Sequence, residues 1–212
     1  MSFEERIMKL MSEMHNDLIV VSEEKRPTFE IKYEVFEDQI EELRTVDTAT
    51  FDKEWHQIYG AFTLVIGGHE FISYPTSNMP LTVKHTFSEL ILTHLDLLVD
   101  GCNSLSMHKY IALKYVENSW TWLEIEVENE ILILSEKNGE IPYRYLIHMD
   151  KRLLENVPYG SFANIRIPKS DFVNEVRAKI IEFIKEIEAI NGEIIKSVYF
   201  SKLLAFIRTK EA

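Results

Sequence analysis

The chain has 212 residues, 46% of them apolar, and carries 23 Lys+Arg against 35 Asp+Glu for a formal net charge of −12. A chain of that length removes roughly 70% of its unfolded surface from water on folding, so it needs neither a disulfide nor a structural metal to be stable. The single cysteine, Cys102, cannot form an internal disulfide, and the acid excess argues against the basic face that nucleic-acid binding requires.

The segment that opens Met1-Ser2-Phe3-Glu4-Glu5-Arg6 places acids where a secretory leader needs positive charge. The most apolar stretch, residues 90–99, is interrupted by Thr93, His94 and Asp96 and falls short of the ~20 apolar residues that span a bilayer. A cytoplasmic protein that does not enter membranes is therefore expected.

Ser2-Phe3-Glu4-Glu5 has the form of a capping box, and Ile7, Leu10, Met11 and Met14 follow at helical spacing. After Pro27 the period changes to two, with Phe29, Ile31, Tyr33 and Val35 alternating with polar residues as in a half-buried strand. The acidic run Glu37-Asp38-Gln39-Ile40-Glu41-Glu42 reads as a solvated loop or short helix, and no period is visible from there to Glu54. Residues 61–66 and 69–74 flank Gly67-Gly68, the pair that supplies the positive φ values of a tight hairpin.

Thr86-Phe87-Ser88-Glu89 is a second capping box. It predicts a central helix over about 87–100, stopped by Gly101 in a left-handed conformation. Residues 110–116, 122–127 and 131–134 predict an antiparallel meander, with Leu123, Ile125 and Val127 inward and Glu124, Glu126 and Glu128 on the other face. Further strands are predicted over 143–149 and 162–167. A long helix starts at Pro168-Lys169-Ser170-Asp171 and runs to Asn191-Gly192, and one more amphipathic helix is expected over 193–208. The order does not alternate as βαβ units do. The expected class is α+β, an antiparallel sheet of hairpin plus meander packed by a central helix and C-terminal helices, in one domain over 1–212.

No phosphate-binding loop or nucleophile elbow is present, and Gly160-Ser161-Phe162 lacks the second glycine that an elbow needs. The histidines form no metal-binding spacing. His94 and Asp96 diverge by about 200° on a helix, so His94 reads as a hydrogen-bonded residue at the core boundary. No cofactor, metal or catalytic residue is assigned. Trp120 and Trp122 would share one face of a strand and could form an aromatic surface.

The acidity is uneven: residues before 143 carry 11 basic and 26 acidic groups, those from 143 onward 12 and 9. An acidic front of this kind permits a basic protein partner, because opposite fields speed encounter.

The run Trp55, Ile58-Tyr59-Gly60, Phe62, Leu64, Ile66-Gly67-Gly68 and Phe71, then a central helix, an acidic meander and Ile167-Pro168-Lys169-Ser170-Asp171-Phe172, resembles the small acidic immunity proteins of bacterial toxin systems in general organisation over residues 55–190. The resemblance implies a cytoplasmic protein that binds and blocks a cognate toxin, frequently a basic nuclease, and the leading expectation is a non-enzymatic binding protein. On the charge pattern, Glu37, Asp38, Glu41, Glu42, Glu124, Glu126 and Glu128 are the candidate partner-binding residues. Two other readings stay open. One is an enzyme or small-ligand binder with a pocket near Trp120, Trp122, Tyr143 and Tyr145, and the other is a subunit that self-associates through the helices after Pro168.

Overall fold

The computed structural model describes residues 28–117, 120–141 and 145–209. The first capping box and its helix, Asn118-Ser119 and Tyr143 lie outside them. The α+β class is as expected, with antiparallel strands packed by a central helix and C-terminal helices, but the hairpin and the meander lie in two separate sheets instead of one.

In the first sheet β1 (Phe29–Val35) pairs along its length with β2 (Tyr59–Ile66), which turns through Gly67-Gly68 into the short β3 (His69–Glu70). Both glycines have positive φ, 58° and 87°, as a tight hairpin demands. The returning strand leaves the regular ladder after Glu70, where the Thr63 hydroxyl takes over: it donates to the Ile72 carbonyl at 2.7 Å and accepts from the Ile72 N–H at 3.2 Å. The outer edge of β1 is blocked where Glu175 accepts from the Ile31 N–H at 2.9 Å, which denies that edge to a foreign strand.

Two residues of β4 (Glu89–Leu90) pair with Tyr59 and Gly60. A Cβ at Gly60 would overlap the Glu34 carbonyl oxygen and lie 2.6 Å from Ile91 Cδ1. Gly60→Ala is therefore expected to cost about 2 kcal/mol by overpacking, read as a lower urea midpoint with an unchanged m-value.

The central helix α1 (Ile91–Leu105) starts later than its sequence predicts. Thr86 and Glu89 do not cap it; the cap comes from Gln57, whose side-chain oxygen accepts from the Leu92 N–H at 2.8 Å and whose amide donates to Thr93 Oγ1 at 2.5 Å. Nor does Gly101 stop it. The helix runs on to Leu105, with Gly101 packed against Leu113.

The second sheet has the order β8 (Ile147–His148), β5 (Tyr110–Lys114), β6 (Thr121–Glu128), β7 (Ile131–Asn138), β9 (Ile165–Pro168), so the predicted meander forms its centre. Leu123 and Ile125 of β6 join Ile31, Leu64 and Ile66 of the first sheet in one continuous core, with α1 among them. The long helix α2 (Lys169–Asn191) buries Phe172, Val176, Ile180, Phe183, Ile184 and Ile187 in the same core, each contributing about 2 kcal/mol as an upper estimate.

The last amphipathic segment is not one helix. It is broken at Ser197, whose hydroxyl donates to Asp52 at 2.5 Å and whose extended backbone (φ −58°, ψ 146°) separates two 3₁₀ turns before α3 (Ser201–Arg208).

Candidate functional site

The acidic run Glu37 to Glu42 is helical. Helix α4, placed earlier in the chain than those above, spans Glu37–Leu43 and turns Gln39 and Leu43 inward. Glu37, Asp38, Glu41 and Glu42 are exposed. Acids in the first turn suit the positive end of the helix dipole. Asp38 meets His85 at 3.0 Å, and Glu42 accepts from the Gln39 amide at 3.2 Å. Among the described residues no cation lies within ion-pair distance of Glu37, Glu41 or Glu42.

The three strand glutamates behave differently. They do share the face opposite the core, but each is paired: Glu124 with Lys137 at 3.8 Å, Glu126 with Lys151 at 2.6 Å, and Glu128 with Arg166. Glu124 is also not a surface residue, being 4% exposed. A strap, residues 149–160, crosses this end of the sheet and closes a second small core of Tyr110, Ala112, Trp122 and Leu154 over it. Beneath the strap Glu124 accepts from the Tyr110 hydroxyl at 3.1 Å, and Lys137 donates to the Val157 carbonyl at 3.2 Å while sitting 3.6 Å from the centre of the Tyr159 ring. Burial holds the Glu124 carboxyl above its usual range, against the pull of Lys137 and Tyr110.

The predicted aromatic surface does not form. Trp122 is fully enclosed, whereas Trp120 precedes β6 and is 55% exposed. Ser161 is no elbow nucleophile either. It donates at 2.5 Å to Glu136, which also accepts from the Ser161 N–H and from Asn138, so this carboxylate shapes the loop that enters β9.

His94 is a bonded core residue, as its position on the flank of the apolar stripe predicts. Its Nε2 lies 3.1 Å from the buried Glu89 carboxylate, and its ring stacks on Phe62 at 4.5 Å and Tyr115 at 5.0 Å. Cys102 is buried as well, and burial pushes its thiol up to about 12, away from nucleophilic use. Among the described residues no three His, Cys, Asp or Glu side chains could hold a metal ion. None of the described helices is long and apolar enough to cross a membrane.

Two concave places bear on function, and Tyr145 of the sequence-predicted pocket lines the first of them. One is a cleft of about 530 Å³ between β8 and the helices, lined by Thr93, Asp96, Asp100, Tyr145 and Lys202 among others. There Lys202 pairs with Asp100 at 2.8 Å and reaches Asp96 at 3.9 Å. Asp96 is pushed up to about 6 by burial, with Lys202 opposing and Asp100 adding to the rise. The folded chain therefore holds a proton on Asp96 that the unfolded chain releases near 3.8. That contribution to stability is complete below about pH 4 and lost as the pH rises through about 6. Asp96→Asn is expected to leave the melting temperature unchanged at pH 4 and raise it by about 2 °C at pH 7.5, a small figure because the group is partly exposed.

The other place is a groove of about 250 Å³ lined by Gln39, Glu42, Glu54, Trp55 and Tyr59. Its floor is fixed by Gln39, which accepts from the Tyr59 N–H at 3.2 Å and so ties α4 to the start of β2. Trp55 ends a π-helical turn, Phe51–Trp55, that His56 terminates in a left-handed conformation with φ of 60°. That wide turn places Glu54 and Trp55 at the groove. The linear signals for this site are Glu42 in the acidic run and the aperiodic stretch before Glu54, which has neither the period of a helix nor that of a strand.

Compared with known protein families, characterised proteins and solved structures, the chain matches none.

Proposed function

We propose that this chain is a non-enzymatic binding protein that neutralises a basic protein partner, with a toxin as the leading instance, through the acidic face of α4. One observation carries the reading. Glu37, Glu41 and Glu42 stand exposed with no cation of the described chain beside them, whereas Glu124, Glu126 and Glu128 spend their charge on Lys137, Lys151 and Arg166. Ion pairs already made inside the fold offer little to a partner, while unpaired carboxylates clustered on one helix attract one.

The partner-binding set is accordingly Glu37, Glu41 and Glu42, with Asp38, which meets His85 at 3.0 Å, beside them on the same helix. In a basic nuclease these carboxylates would occupy places that substrate phosphates take, and occlusion would be electrostatic and steric together. The test is whether a basic toxin domain is encoded beside this chain and, for that domain, the association rate measured at about 20 and about 300 mM salt; a genome that encodes none overturns the toxin reading. The rate is expected to fall steeply at the higher salt. A rate indifferent to salt overturns the electrostatic reading.

A further inference from the structure

The groove between α4 and the π-helical turn combines what one side chain in particular needs. Its walls carry two aromatic rings, Trp55 and Tyr59, together with two carboxylates, Glu42 and Glu54. Tyr59 is 46% exposed, which is unusual for a tyrosine opening a strand whose next seven residues are all buried. Among the described residues Lys53 reaches Glu54 at 3.7 Å, on a side chain that is itself 81% exposed, and a pair so solvated is displaced at little cost.

We infer that this groove receives an arginine side chain of the basic partner. The inference rests on the reading of the α4 face as the partner-binding surface and names what that surface recognises. A guanidinium is planar, stacks on aromatic rings and forks onto carboxylates, so a site that offers rings and acids together favours it over the compact, strongly hydrated ammonium of lysine. Aromatic side chains in a recess beside a polar rim also form the usual anchor of a protein interface. The exposed acids Glu37, Asp38 and Glu41 supply the long-range attraction. The groove supplies the short-range selection.

The experiment uses the full chain labelled with ¹⁵N and three synthetic probes, octa-arginine, octa-lysine and octa-citrulline, at low salt. The indole N–H of Trp55 is identified by Trp55→Phe. Octa-arginine is expected to shift that resonance and to bind about fivefold tighter than octa-lysine, with octa-citrulline leaving it unmoved. Tyr59→Ser and Glu54→Gln each weaken octa-arginine about fivefold with melting temperatures unchanged, which separates loss of binding from loss of fold.

If octa-arginine and octa-lysine bind equally and shift only α4 amides while Trp55 stays still, the groove is not an arginine site and the acidic-face reading stands. If neither peptide binds, both the groove and that reading fall.

Discussion

Lys137→Met is expected to destabilise the protein by about 3 kcal/mol at pH 8, because it strands the Glu124 carboxylate under the strap. Both side chains of this pair are only 5% exposed, so water does not replace the lost cation. The carboxyl is already held high by burial, and the charge of the Lys137 ammonium is the main influence opposing this. Without it Glu124 takes up a proton in the fold at a still higher pH. The sign follows from linkage: the variant's deficit is largest where an unfolded glutamate is ionised and the buried one resists ionisation, and it shrinks as the pH falls toward about 5.

Glu124→Gln is expected to cost less. The Tyr110 hydroxyl can still donate to the amide oxygen, and the Lys137 ammonium keeps the Val157 carbonyl and the Tyr159 ring. The double variant should recover about 1 to 2 kcal/mol of the summed cost. Urea unfolding of the four proteins at pH 5 and 8 measures the cycle. A loss below about 0.5 kcal/mol for Lys137→Met at pH 8 would mean that the strap does not exclude water from the pair.

That pair marks where sequence reasoning stops. Alternation along β6 correctly assigned Glu124 to the face opposite Leu123 and Ile125, but a period of two says only which face a residue takes and not whether that face is wet. The covering strap is joined to the sheet by contacts such as Lys137 with Val157 and Glu126 with Lys151, each between segments 20 or more residues apart. The late start of α1 has the same origin, since its cap, Gln57, lies 35 residues before Leu92. The break at Ser197 depends on Asp52, 145 positions away.

What was legible was local: the alternation of β1, the two glycines of the hairpin, the meander, and the helix that begins after Pro168. The candidate site divides along the same line. The acids of α4 could be read from their run in the chain, whereas the groove beside them needs the π-helical turn to bring Trp55 toward Tyr59.

Reversing the α4 charges tests the function most directly. The triple variant Glu37→Lys, Glu41→Lys, Glu42→Lys is expected to slow association with a basic partner about a hundredfold at low salt, within the range by which steering raises on-rates. Its fold should hold to within about 2 kcal/mol, since the three positions are exposed but Glu37 leaves the positive end of the helix dipole and Glu42 leaves the Gln39 amide. The matched control is Glu126→Lys with Glu128→Lys. It changes the net charge by two thirds as much but acts on acids already committed to Lys151 and Arg166, so its effect on the rate should be within about threefold, close to what screened, distant charge produces. Equal slowing by both variants would assign the attraction to the overall charge of −12 and leave α4 no special part in it. Slowing confined to the triple variant locates the attraction on one helix face, since the control changes the charge of a surface whose field its own lysine and arginine already cancel.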